Sequence, residues 1–169
     1  SSDLFKGNHH TVSDRTDFPK SSIAAENIWG VADESLFDNA FAVLDQSQSK
    51  GKRFFAHIMT TSNHRPYTFP DGRIDLAAGS RDGAVKYTDY AIGRFIQQAK
   101  SKPWFNDTLF VVVADHCASV AGKAKLPVAS YHIAGVFYGP QLLKASTDNR
   151  LISQIDIPPT LLDALGVKG

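Results

Sequence analysis

The chain has 169 residues, 43% apolar and 21% charged. That composition excludes an intrinsically disordered segment and leaves room for one domain or a large piece of one. Eighteen Lys and Arg against seventeen Asp and Glu leave a formal net charge of +1, without the basic excess that nucleic-acid binding requires. The single cysteine, Cys117, excludes an internal disulfide and the multi-cysteine zinc motifs, and the longest apolar run, Leu109 to Ala114, is far short of a membrane span.

Residues 1–30 are polar and weakly periodic, with His9-His10, the charged run Ser13 to Asp17 and Pro19. They read as an irregular N-terminal segment that packs on structure outside this sequence, with both histidines exposed. A helix follows from Asp33, which is placed to cap it; Leu36, Phe37, Ala40, Phe41 and Leu44 fall at helical spacing. Gln46 to Lys52 reads as a surface loop. Arg53 to Thr60 alternates as a strand does, with Phe55, His57 and Met59 on one face and Phe54, Ala56 and Ile58 on the other. Both faces are apolar enough for a covered sheet, and His57 reads as a hydrogen-bonded core residue.

Asn63 to Gly79 is a loop broken by Pro66, Pro70 and Asp71-Gly72. Asp82 to Lys100 reads as a long helix packing through Ala84, Thr88, Ala91, Ile92, Phe95 and Ala99, ended by Lys102-Pro103. Thr108 to Ala114 reads as a buried central parallel strand, and Tyr131 to Tyr138 as a further strand closed by Gly139-Pro140. Asp156 to Leu165 reads as a terminal helix with Pro158 or Pro159 in its first turn and Gly166 beyond its end. Helices and strands in this order predict an α/β fold, layered helix-sheet-helix.

In open α/β sheets, ligands bind beyond the carboxyl ends of the strands. Two strands here run into polar groups there: Arg53–Thr60 into Thr61-Ser-Asn-His64, and Thr108–Ala114 into Asp115-His116. A carboxylate and an imidazole leaving one strand end can both reach a divalent cation, and this O plus N pair suits Zn²⁺ or Mn²⁺ better than Ca²⁺. The plain alternative has Asp115 capping the next turn and His116 packed. His64, beside Asn63 and Arg65, can contact an anionic substrate oxygen or protonate a leaving group; the alternative is an ordinary exposed histidine. His132 reaches the Asp115 end only if its strand is antiparallel or the preceding loop folds back. Cys117 reads as a buried small residue rather than a reactive thiol. No G-x-S-x-G, glycine-rich phosphate loop or H-E-x-x-H is present.

Thr60-Thr-Ser-Asn-His-Arg-Pro-Tyr67, Tyr87 to Phe95, Asp107 to His116, Tyr131-His132 with Phe137 to Pro140, and Ile155 to Leu162 occur in the order found in sulfatase-type proteins of the lipoteichoic acid synthase family, within the alkaline phosphatase superfamily. The resemblance covers roughly residues 25–166, and an ordered series is far more specific than any one motif. It implies that residues 31–169 are the C-terminal portion of a sulfatase-like catalytic domain. In the resemblance, Asp115 and His116 are two of the metal ligands, His64 contacts the substrate phosphate, and His132 is similar in placement to an active-site histidine of phosphoethanolamine transferases.

The resemblance further implies a metal-dependent phosphoglycerol or related head-group transferase or phosphodiesterase. It would work through a phospho-enzyme on a phospholipid-derived substrate, with a divalent metal, Mn²⁺ or Zn²⁺. Localisation would be on the periplasmic, extracytoplasmic side of a membrane, with an anchor upstream. The family's Thr nucleophile and Glu ligand have no counterpart here, so the isolated chain is expected to be inactive and, with part of its sheet uncovered, to self-associate. Leu4 to Gly7 falls where that family carries a pocket Trp and Arg; Phe5 can stand for the Trp, Gly7 not for the Arg. A sulfatase acting on sulfate esters, or a non-catalytic binding module on the same fold, are the alternative functions.

Overall fold

The computed structural model describes residues 2–8, 10–118, 128 and 131–167. It divides the chain into two units, Ser1–Thr108 and Leu109–Gly169. His9 lies outside the described residues; His10 is exposed and meets the Phe5 ring edge-on. The opening segment is not wholly irregular: it holds a short helix, α1 (Ser2–Gly7), a 3-10 turn at Lys20–Ser22 and an isolated antiparallel bridge between Glu26 and Val31.

The first unit is built on two long helices, α2 (Asp33–Ser49) and α3 (Arg81–Ala99), at the places their apolar spacing predicts. Ser80 caps α3, its hydroxyl accepting the Gly83 N–H at 3.1 Å. Asp33 does not cap α2. Ala32 occupies the cap position, and Asp33 is the first helical residue with its carboxylate turned inward. Phe37 of α2 stacks on Phe95 of α3 and Phe41 lies tilted against it, both at 4.7 Å between ring centroids, and Trp104 extends this aromatic core over Phe41. A second cluster joins Ala32, Phe69 and Tyr87, with Phe69 and Tyr87 stacked at 4.7 Å and nearly parallel. Tyr87, absent from the anticipated α3 stripe, is fully buried. Burial and the neighbouring Glu34 carboxylate push its hydroxyl above the ordinary tyrosine value.

Residues 52–60 are not a strand. They carry the anticipated alternation, yet form no ladder, because alternation gives an extended segment two faces and cannot supply a hydrogen-bonding neighbour. One face is used: Phe54 meets Trp104 edge-on at 5.5 Å and Ile58 is half-buried. On the other, Phe55 and Met59 are 79% and 71% exposed. His57 lies on that open face and is exposed, so it is not a core histidine.

The second unit contains β1 (Phe110–Val113), β2 (Gly135–Tyr138) and α4 (Ile157–Ala164). The strands pair antiparallel, with Phe110 opposite Tyr138 and Val113 opposite Gly135. The expectation of a buried parallel strand is therefore corrected: the β1 ladder runs to β2, and Val112 and Val113 are 38% and 40% exposed. An apolar run fixes strand character but not the direction of its partner. Before α4, Ser153 and Asp156 form a reciprocal capping box around the 3-10 turn Gln154–Asp156. Beyond α4, Gly166 takes φ of 65°, the left-handed conformation that ends helices at low steric cost.

The two long helices are also joined at their far ends, where Asp45 accepts hydrogen bonds from Lys102 and from Trp104 Nε1, the latter at 3.0 Å. Burial pushes the Asp45 carboxyl up, but these two donors outweigh it and hold it below the ordinary 3.8. The folded state then binds fewer protons than the unfolded chain, so this contribution is fully present above the unfolded value and is lost as pH falls through the folded one. With the side chain 41% exposed, the contribution is below about 1 kcal/mol. In urea unfolding, the stability gap between wild type and Asp45→Asn should shrink as pH drops from about 6 to about 3; a gap independent of pH would contradict the assignment.

Candidate functional site

The loop carrying His64 is fixed by a carboxylate beneath it. Asp33 is 0% exposed. Its Oδ1 accepts the backbone N–H groups of Thr61 and Ser62, both at 3.0 Å, and its Oδ2 accepts the Thr88 hydroxyl at 2.8 Å. In return the Asp33 N–H donates to Ser62 Oγ at 3.1 Å. The first turn of α2, the start of the loop and the middle of α3 are thus tied to one charge. Glu34, also buried, accepts both short contacts from Arg73 Nε, at 2.9 and 3.0 Å. The loop then turns through His64, whose carbonyl accepts the Tyr67 N–H at 2.8 Å. Tyr67 has φ of 63°, a conformation that costs free energy for an aromatic residue and is held here by its neighbours.

His64 is exposed, as expected, but not free to rotate. Its Nδ1 lies 2.8 Å from the Arg65 carbonyl oxygen. A carbonyl only accepts, so Nδ1 carries the proton and Nε2 is the atom presented outward. The Trp29 ring lies against the imidazole at 4.0 Å between centroids. Trp29 and Asp33 escape a reading of local motifs, since one sits in an irregular segment and the other at an expected helix cap. The available signal for Trp29 was a bulky aromatic followed by Gly30 in an otherwise polar stretch.

In the second unit, the carboxyl end of β1 delivers Asp115 and His116. The Asp115 Oδ1 accepts the His116 N–H at 2.9 Å, which leaves Oδ2 facing His116 Nε2 at 3.4 Å. The other ring nitrogen, Nδ1, lies 2.8 Å from the Cys117 carbonyl and so carries the proton. This is the arrangement that orients a metal-ligating histidine. Two donors about 2.1 Å from a tetrahedral ion stand about 3.4 Å apart, so the observed pair fits part of a cation's coordination shell. Both side chains are open to solvent. Among the described residues no third His, Cys, Asp or Glu completes a metal-holding group with them.

The antiparallel pairing meets the condition placed on His132. It leads into β2 from the same end at which β1 releases Asp115, and its carbonyl accepts the Cys117 thiol at 3.1 Å. Cys117 is half-buried and pins that backbone, rather than filling a core. Gln154 Nε2 donates to the carbonyls of both Ala114 and Asp115 at 2.9 Å, bracing the strand exit from the α4 side. Sequence patterns gave no sign of that brace.

The Sulfatase family model matches residues 3–167. Phosphoglycerol transferase I of Escherichia coli O139:H28 is 31% identical over 99 residues, which are 54% of this chain and 13% of that protein. Among solved structures, a protein in the alkaline phosphatase superfamily from Vibrio parahaemolyticus superposes with a TM-score of 0.82 at 37% identity, over 90% of this chain and 37% of that one. The lipoteichoic acid synthase LtaP from Listeria monocytogenes superposes at 0.74 and 24% identity, over 91% of this chain and 43% of that one, a likeness of fold. The chain thus spans less than half the length of each of these relatives. The alkaline-phosphatase-like fold anticipated from the sequence is supported by these superpositions, with helices and one two-stranded sheet among the described residues.

Asp33→Ala would strand two backbone N–H groups and the Thr88 hydroxyl. It should lower stability by roughly 3 kcal/mol in urea unfolding. Asp33→Asn, which keeps one accepting oxygen for the two N–H groups, should recover part of that loss. Equal stability of wild type and Asp33→Ala would show that the network carries no weight.

Proposed function

This chain belongs to the sulfatase family, and on that premise we propose that it supplies the metal-holding and phosphate-contacting residues of a phosphoglycerol or related head-group transferase. The single observation that carries the reading is the convergence of Asp115 Oδ2 and His116 Nε2 at 3.4 Å on one exposed strand end. Asp115 and His116 would hold the divalent cation, Mn²⁺ or Zn²⁺. When bound, it supplies charge neutralisation on the transferring group and lowers the pKa of the attacking hydroxyl.

The chain's own part is orientation. The Cys117 carbonyl fixes the His116 tautomer so that Nε2 offers its lone pair. The bond from the His116 N–H to Asp115 Oδ1 leaves Oδ2 as the remaining donor. His64, with Nδ1 committed to Arg65, would donate from Nε2 to a non-bridging phosphate oxygen in the form that carries a proton on both ring nitrogens. His132 is placed by its backbone at the Asp115 end and would be a second phosphate contact.

The similarity to a phosphoglycerol transferase supports a phospholipid-derived phosphodiester as substrate. Catalysis would then proceed on the extracytoplasmic face of a membrane, through a phospho-enzyme whose nucleophile and further metal ligand lie outside this sequence. By itself the 169-residue chain would be inactive. Among the described residues no helix is long and apolar enough to cross a membrane, so an anchor would likewise belong to another part of the protein.

In the complete protein, Asp115→Ala and His116→Ala should each lower turnover of a phosphatidylglycerol substrate at least about a hundredfold. Each should also weaken Mn²⁺ binding in calorimetric titration. Wild-type turnover by Asp115→Ala would refute the ligand assignment, and faster turnover of aryl sulfates than of phosphodiesters would make the protein a sulfatase.

A further inference from the structure

The turn Asn27–Gly30 is built onto the chain on both sides of His64. On one side Asn27 Nδ2 donates to Thr68 Oγ1 at 2.6 Å. On the other, Thr61 Oγ1 donates to the Val31 carbonyl at 3.2 Å. There Gly30 lies so close that a Cβ on it would stand 3.0 Å from Thr61 Oγ1. The turn itself is tight. Asn27 Oδ1 accepts the N–H groups of Trp29 and Gly30, the Asn27 N–H donates to the Gly30 carbonyl, and Arg15 Nη1 donates to the Asn27 carbonyl at 2.7 Å.

All of this presents one side chain. Trp29 remains 53% exposed, so burial does not explain its place; its ring contact is the His64 imidazole, at 4.0 Å and 44° between planes. With Nδ1 bonded to Arg65 and one ring face against the indole, His64 keeps a single direction for Nε2.

The geometry points to Trp29 as a positioning residue for the proposed phosphate contact: the indole holds His64 in the rotamer that directs Nε2 at the transferring group. This rests on the reading of His64 as a substrate contact. Holding a donor in place acts on the reacting geometry more than on substrate affinity, so loss of the indole should appear in kcat. Any flat ring of similar reach should replace it.

The test is a double-mutant cycle in the complete protein with Mn²⁺, reading hydrolysis of bis(p-nitrophenyl) phosphate. Trp29→Ala should lower kcat about tenfold and leave KM within about twofold. Trp29→Phe should restore most of the loss, and Trp29→Ala should have no further effect in a His64→Ala background. If Trp29→Ala leaves kcat unchanged, or slows the His64→Ala protein by the same factor as wild type, the positioning role is wrong. If His64→Ala itself turns over at the wild-type rate, the reading of His64 fails, and the role of Trp29 with it. A His64→Ala defect beside an undiminished Trp29→Ala protein sinks the Trp29 role alone. Should Trp29→Ala not fold, Trp29→Leu keeps the bulk without the aromatic face and is read in the same cycle.

Discussion

A carboxylate sealed from water needs partners for both oxygens, and that requirement organises the first unit. Asp33 has no access to solvent, so its charge is tolerable only where donors converge on it. Three donors do: two consecutive backbone N–H groups from the turn at Thr61 and Ser62, and the hydroxyl of Thr88. Its position at the start of α2 adds the favourable field of the helix N-terminus. Because the donors come from a loop and from α3, satisfying one charge also sets the register of three chain segments. The aromatic cluster of Phe37, Phe41 and Phe95 supplies burial between α2 and α3, but apolar contact is non-directional. Asp33 makes the arrangement specific, and the His64 loop inherits that specificity.

His64 and His116 are prepared in the same way. In His64 and in His116, Nδ1 faces the carbonyl of the next residue at 2.8 Å. The bond decides the tautomer before any ligand arrives, and it leaves Nε2 as the working atom in both. They differ in what opposes that atom's ring. His64 lies against the Trp29 indole, tilted by 44°, whereas His116 looks toward a carboxylate oxygen of Asp115. One backbone device therefore fixes the tautomer of both rings, and under the proposed function it would serve a phosphate contact in one and a metal ligand in the other.

Helices are legible in the sequence because the apolar positions of α2 and α3 repeat at helical spacing, although Asp33 at the start of α2 bonds to Thr61, Ser62 and Thr88 rather than capping its own helix. The strands were legible as extended chain but not as sheet. Residues 52–60 and Phe110–Val113 both read as extended chain, yet one forms no ladder and the other pairs antiparallel. Pairing belongs to two segments at once, and its direction leaves no mark in either. The same gap explains His57. Apolar neighbours make its face read as covered, whereas Phe55 and Met59 on that face are largely open.

Legibility of the site divides along the same line. Asp115 and His116 organise each other through bonds between adjacent residues, with Cys117 completing the pattern. A strand ending in that short series therefore already contains most of the geometry. His64 is different. Its Nδ1 bond to Arg65 is local, but its loop is held by Asp33, Thr88 and Asn27, and its ring meets Trp29, residues that lie far along the chain and carry no spacing that relates them to a histidine. The irregular stretch before α2 looked like unstructured polar chain because its order is not periodic: it is spent on one turn, bonded to Thr61 and Thr68 on either side of His64. Polar composition with few helical or strand signals is compatible with a rigid structure when its hydrogen bonds run to one neighbour rather than along itself. That is why the most precisely supported side chain in the first unit was the one whose support the sequence showed least.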